Sequence, residues 1–401
     1  MKTQTGEVIK IGKSWYGRWY ENVIENGQTV RKRRFVKLCD ADDRYRTKAD
    51  VRPLLTEKLR ALNEGRTDAR SSLTLATFVS EHYDPYAREN FKPSTVHGYS
   101  KLWRDALCPR VGQIRLRDFK TVDAANTLAH FAGKGWGRSS LKHAKSLLSG
   151  IFTYAKNLGV LDGVNPVQGT IIPRKAAAPA ETHASTPDEV VTIVDILKRA
   201  KGLEERQKLQ AQTAIGLMFF AGLRPGEARG ARWEDYDGKT LSVKRSVWHK
   251  HTTLPKTASA AKPVLVIEPL RDLLAELREA ERKPTNGPIL RGAKGGPLDL
   301  NMLAKRVVRP ALRNRKNYRD GESKNWKPLE WQGFYSLRRG IATQLTAITH
   351  DPMAAKGLLR HSSVITTLRH YIKDVPEVTA NGMAQVEELF SELDAANQVV
   401  Q

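Results

Sequence analysis

Phe219-Phe220-Ala221-Gly222-Leu223-Arg224-Pro225-Gly226-Glu227-Ala228 joins two helices through a glycine and a proline. An apolar helix running from Ala214 to Phe220 stops at Gly222, and Pro225 opens a second helix from its favoured first-turn position. Arg224 then stands at a helix N-terminus, where backbone N–H groups and the helix dipole already favour an anion. A guanidinium fork in that place matches two oxygens of a phosphate. A surface pair with Glu227 would explain the same arginine, and the segment alone leaves both open.

Working toward the C-terminus, Tyr335-Ser336-Leu337-Arg338-Arg339-Gly340-Ile341-Ala342-Thr343 predicts another helix, capped by Ser336. Arg338 falls among Leu337, Ile341 and Ala342 on a half-buried turn. A buried arginine needs an anionic partner, and no carboxylate stands three or four residues away, so a bound phosphate would serve. Next, Leu358-Leu359-Arg360-His361-Ser362-Ser363-Val364 ends one helix at His361, and Ser362 or Ser363 can cap its successor. That successor carries Tyr371, the last tyrosine of the chain. A capping histidine and an amphipathic tyrosine would be the plain account of this pair. Residues 375–401 are acidic and amphipathic, with Met383, Val386, Leu389, Phe390 and Leu393 at helical spacing.

Toward the N-terminus, Thr186-Pro187-Asp188-Glu189 has the form of a helix start. The stretch 173–186 before it has no core pattern and reads as a linker. Beyond residue 186 the pattern is helical, with one strand pair near 239–249 and 262–267 and a polar loop at 314–332. Residues 73–172 read as helical throughout. Their last helix, 139–158, puts Leu141, Ala144, Leu147, Leu148, Ile151, Phe152 and Ala155 on one face. Arg138, Lys142, His143, Lys145 and Lys156 lie on the other, either solvated or facing phosphates. Residues 6–38 alternate as strands, with Asn26-Gly27 marking a hairpin. The third strand carries Arg31, Lys32, Arg33 and Arg34, while Trp15, Trp19 and Tyr20 are expected to pack a small core. A helix through Val51, Leu54, Leu55, Leu59 and Leu62 follows, and a polar stretch to Ser72 closes the region.

The chain has 401 residues, too many for one compact core. Its 67 Lys+Arg against 43 Asp+Glu give a net charge of +24, spread along nearly the whole length. Such a spread fits several domains that all face phosphates. A ribosome-associated or membrane-surface protein is the lesser alternative on charge alone. Cys39 and Cys108 are far apart and lack ligand spacing, so neither a disulfide framework nor a zinc site is expected. The N-terminus has no apolar leader, and no apolar run is long enough to span a bilayer. A soluble, cytoplasmic protein without membrane contact is the expectation.

Taken in order, the motifs resemble the tyrosine recombinase (phage integrase) family. They are Ala221-Gly222-Leu223-Arg224 with Glu227, Lys256-Thr257-Ala258-Ser259, Leu337-Arg338 with Ala342-Thr343, Leu359-Arg360-His361-Ser362-Ser363, and Thr366-Thr367 before Tyr371. Each is weak alone, but together and in this order they are specific. The resemblance implies a mainly α fold with small β elements and three parts. These are an N-terminal three-stranded sheet plus helix similar to an arm-type DNA-binding domain (1–65), a helical core-binding domain (73–172), and a mixed α/β catalytic domain (186–385), followed by a C-terminal helix or tail (386–401). It also implies roles. Arg224 and Arg338 match the phosphate-clamping arginines, Lys256 the general acid toward the leaving 5′ oxygen, His361 a hydrogen-bond donor to the scissile phosphate, and Tyr371 the nucleophile. Arg31, Lys32, Arg33, Arg34, Arg138, Lys142 and Lys145 become candidate DNA contacts. The acidic C-terminal helix becomes a candidate for docking on a neighbouring protomer in a tetrameric synapse.

This sequence departs from the family pattern twice. Tyr335 stands where a histidine is usual; a phenol can hydrogen-bond a phosphate but is a poor base at neutral pH. His361 and Tyr371 are one residue further apart than usual, with His370 at the ordinary place. One residue turns a helix by about 100°, so a local adjustment must restore the aim of Tyr371. The chemistry implied is metal-free and ATP-free: tyrosine keeps the phosphate as an ester, and Arg224, Arg338 and His361 neutralise the transition state. Competing readings are a non-catalytic DNA-binding protein on the same fold, a type IB topoisomerase, and a basic RNA-binding or structural protein.

Overall fold

Alternating side chains build the first element, an antiparallel meander of β1 (Glu7–Ile11), β2 (Ser14–Glu25) and β3 (Gln28–Asp40). The computed structural model describes residues 4–25, 27–63, 68–178, 181–254, 258–319 and 327–370. The β2–β3 hairpin closes where Glu25 pairs with Gln28, at the Asn-Gly site. Every second residue of β2 is buried: Trp15, Gly17, Trp19, Glu21 and Val23. Helix α1 (Lys48–Asn63) covers the Trp15–Trp19 end with Val51, Leu55 and Leu59. Tyr20 does not join this core, contrary to expectation. Period two sends it to the opposite face, where it is 45% exposed with the Arg31 guanidinium 5.0 Å from its ring centre.

The other end of β2 reaches the helical region of the same compact unit, which covers residues 1–180. Ile24 packs against the helical core, and its N–H donates to Ser72 Oγ at 3.0 Å. That core comprises helical residues 75–90, α2 (Pro93–Leu102), α3 (Thr121–Gly133) and α4 (Arg138–Asn157). All seven apolar residues expected to line α4 are buried. They surround Phe78, Leu107, Leu116 and Leu128, each at most 1% exposed.

The second unit, residues 181–401, opens on α5 (Pro187–Arg199). Thr186 caps it: its Oγ accepts from the Glu189 N–H at 3.2 Å, and Glu189 answers on the Thr186 N–H at 3.1 Å. Helix α6 (Glu205–Phe219) is buried continuously from Leu209 to Phe219, including the polar Gln210, Gln212 and Thr213 as well as the apolar run from Ala214. Around it pack α5, α8 (Glu268–Ala280) and α9 (Phe334–Thr349), while α7 (Pro225–Gly230) continues the chain from its end. The expected strand pair is present but divided. β4 (Thr240–Leu241) pairs with β7 (Val264–Leu265), and β5 (Ser246–Trp248) forms its own hairpin with β6 (His251–Thr253). The extra turn passes through His249, at φ 48°. Helices α10 (Pro352–Leu359) and α11 (Val364–His370) end the described chain. Among the described residues no helix is long and apolar enough to cross a membrane.

Candidate active site

The junction between α6 and α7 is the floor of the site. Gly222 takes φ 56°, a conformation that leaves its carbonyl facing away from the helix it terminates. Arg338 Nη1 donates to that carbonyl, and Arg338 Nη2 donates to the Leu359 carbonyl at 2.7 Å. Arg338 is fully buried and ties the α6–α7 turn to the end of α10. It is carried there by α9, which lies hard against residues 183–185. A β-carbon on Gly340 would stand 2.0 Å from the Ser185 carbonyl oxygen. Ser336 does not cap α9, as its position suggested; the cap is Gly333. Ser336 lies inside the first turn and is used for this docking instead. Its hydroxyl accepts from Ser185 Oγ at 2.8 Å and donates to the Gly333 carbonyl at 2.6 Å.

Glu227 organises the charges. It is 4% exposed, and its carboxylate takes the Arg224 N–H at 2.9 Å, Arg224 Nη1 at 2.7 Å and Arg360 Nη2 at 2.6 Å. Arg338 Nη1 lies 3.9 Å from the same carboxylate. The partner that Arg338 lacked in its own sequence neighbourhood is thus a carboxylate from a distant helix. Burial pushes the Glu227 carboxyl up, but Arg360, Arg224, the Arg224 amide and Arg338 outweigh it and hold it below the usual carboxylate range. The expected pairing of Arg224 with Glu227 is present, but to a buried carboxylate instead of at the surface. Arg224 stands at the N-terminus of α7, with its side chain still 31% exposed.

His361 closes the cluster. Arg338 Nη2 lies 3.0 Å from His361 Nε2, and Thr367 Oγ1 lies 2.8 Å from Nδ1. Arginine has only donors, so Nε2 must accept, which leaves the ring proton on Nδ1, directed at Thr367. Burial first, then Arg338, Arg224 and Arg360, push the imidazole down to about 3. His361 is therefore neutral at pH 7. A neutral imidazole adds no positive charge of its own to the cluster.

The structure thus brings Arg224, Arg338 and His361 together. Tyr335, in the first turn of α9, is 48% exposed. Lys256, Tyr371 and residues 375–401 lie outside the described residues. The candidate DNA contacts divide. Arg31, Lys32, Arg33, Arg138 and Lys142 are exposed. Lys32 pairs with Glu25, Lys145 donates to the Thr170 carbonyl, and Arg34 lies 2.8 Å from Glu21. Sequence reasoning placed Arg360 and Thr367 in the motifs without a role of their own and gave Glu227 only a surface pairing. The signal available was an arginine directly after the apolar Leu358-Leu359 pair.

Residues 184–377 match the phage integrase family model. A curated relative, the tyrosine recombinase XerC-like protein of Caldanaerobacter subterraneus subsp. tengcongensis, is 23% identical over 95% of this chain and 98% of its own length. Among solved structures, the Tn1549 transposon integrase in complex with transposon right end DNA superposes with a TM-score of 0.60. It has 18% identity and covers 79% of this chain and all of that one. A lambda integrase tetramer bound to a Holliday junction gives 0.54 and 17% identity, over 88% and 90% of the two chains. The ordered motifs, the helical fold with its small sheets and the family match agree, and residues 184–377 form a domain of the phage integrase family.

Proposed function

We propose that the protein is a site-specific DNA recombinase that cuts and rejoins DNA through a 3′-phosphotyrosine at Tyr371. The observation that carries this reading is the convergence of Arg224, Arg338 and His361, far apart in sequence, around one buried carboxylate. Three guanidiniums against Glu227 leave a net charge of +2 (3 − 1), which suits a phosphodiester whose transition state gathers a second negative charge. In the proposed step Tyr371 Oη bonds to phosphorus as the P–O5′ bond breaks. The phenol proton leaves to solvent, and Lys256 gives a proton to the departing 5′ oxygen. Reversal by a 5′-hydroxyl of a partner strand reseals the DNA. The ester bond is conserved throughout, so the reaction uses neither ATP nor a metal.

The partner is double-stranded DNA, and four protomers would form the synapse, a reading supported by the DNA complexes of the similar integrases. The sheet and helix of residues 1–65 would serve as an arm-type module, 73–172 as the core-binding domain and 186–385 as the catalytic domain. The acidic amphipathic segment 375–401 would dock on the neighbouring protomer, and the protein would act in the cytoplasm.

The test uses duplexes recovered by binding selection from a random-sequence library, nicked so that cleavage traps the intermediate. Wild-type protein should give a covalent adduct that survives denaturing electrophoresis. Tyr371→Phe should bind equally well and give none. An adduct from Tyr371→Phe would assign the nucleophile elsewhere, and no adduct from wild type would leave a DNA-binding protein on a recombinase fold.

A further inference from the structure

Five non-glycine residues among those described have a positive φ: His249, Arg282, Lys283, His350 and Arg360. Four are exposed, but Arg360 is 3% exposed. It sits at the end of α10 with φ 54° and ψ 43°, the left-handed position that favours glycine. Its guanidinium is also buried, which is costly unless fully paired. Burial lowers its proton affinity, and Glu227 raises it again. Nη2 donates to Glu227 Oε2 at 2.6 Å, and Nη1 to the Leu358 carbonyl at 3.4 Å.

Glu227 Oε2 also accepts the Arg224 N–H, and Oε1 holds Arg224 Nη1. Arg360 therefore fixes the plane of the carboxylate that aims Arg224. A phosphate arriving beside Glu227 adds a second anion. Without a compensating cation the carboxyl would take up a proton, lose its grip on Arg224 Nη1 and let the clamp swing. We propose that Arg360 is a positioning residue for cleavage: it holds Glu227 in place and ionised while the phosphate is bound, and so keeps Arg224 on target. This rests on the recombinase reading above.

The test is single-turnover cleavage of the selected nicked duplexes across pH 5.5–9 by wild type, Arg360→Gly and Arg360→Lys. Glycine suits the backbone at this place, and circular dichroism would check the fold. Arg360→Gly should cleave about ten- to a hundredfold more slowly at neutral pH, the scale of one charge-assisted hydrogen bond, with DNA affinity little changed. The sign of the pH effect follows from the charges. Removing a cation from beside Glu227 raises its proton affinity, so the acid limb of the rate profile should move to higher pH. Arg360→Lys keeps the charge and should hold the limb near its wild-type position while restoring part of the rate. An unchanged rate in Arg360→Gly overturns the proposal. So does a slowed variant whose acid limb stays in place, or a lysine variant no better than glycine, since either makes the role structural only. If Arg360→Gly fails to fold, the lysine variant decides: a limb moved upward despite the retained charge overturns the proposal, and a limb in place with a reduced rate supports it. Wild-type protein that forms no adduct overturns the recombinase reading itself, and this inference with it.

Discussion

Two buried carboxylates, each ringed by arginines, lie in the two units of this chain and do different things. Glu21, on the buried face of β2, lies 2.7 Å from Arg117 Nη2 and 2.8 Å from Arg34 Nε, and Arg34 reaches Asp118 at 3.5 Å. Two carboxylates against two guanidiniums sum to zero (2 − 2), and the cluster ties the sheet to the helical region beside Ser72. Glu227 holds three guanidiniums and sums to +2, with Arg224 still partly open to solvent. A neutral cluster is a strut, because every charge is spent on another part of the protein. A cluster with surplus positive charge and one exposed member has charge to spare for an anion, which is what the proposed function asks of it. Local composition does not separate the two, since both are a buried acid among basic residues.

The largest expected effect is on the strut. Glu21→Ala should leave Arg117 buried without its carboxylate and cost roughly 3 kcal/mol in urea unfolding, the scale of breaking a buried pair. Adduct formation per folded molecule should be unaffected. A loss below about 1 kcal/mol would class the cluster with ordinary surface pairs.

Arg224→Ala reverses the pattern. Its side chain is partly exposed, so stability should change little, while single-turnover cleavage should fall by about two to three orders of magnitude, as when an oxyanion donor is lost. Cleavage at the wild-type rate would reduce the Glu227 cluster to a second strut.

His361 supplies a pH test of moderate size. Its folded value, about 3, lies below the unfolded value near 6.5. The unfolded chain therefore binds the extra proton between these values, and this contribution to stability is intact above about pH 6.5 and lost as pH falls toward 3. His361→Asn should flatten the decline in urea midpoint between pH 7 and pH 5 relative to wild type. Parallel curves would falsify the burial of a neutral imidazole.

The smallest effect belongs to the surface of the sheet. Arg31→Ala, which removes only an exposed cation stacked on Tyr20, should leave folding intact. If β3 faces phosphate, the slope of log affinity against log salt should fall by about one contact. An unchanged slope would assign the basic strand to contacts within the protein, as already holds for Arg34.

Much of this molecule is local. Alternation in β2, the Asn-Gly hairpin, the apolar face of α4, the Thr186–Glu189 capping box and the stop at Gly222 are written in neighbouring residues, because strand period, turn chemistry and helix caps depend on spacing over a few positions. The ordered motifs were legible too, and with them the family and Arg224, Arg338 and His361. What tertiary structure decided is which charges meet. Arg338 had no acid within a helical turn, yet Glu227 lies 3.9 Å away; Arg34 and Lys145 looked like DNA contacts and are turned toward Glu21 and the Thr170 carbonyl. The same holds for His361, whose ordinary proton affinity would leave it partly charged near neutral pH until burial and three guanidiniums remove that charge. A chain encodes period and turns through neighbours, but burial and Coulomb energy depend on distances in space, and those exist only once α7, α9 and α10 have packed.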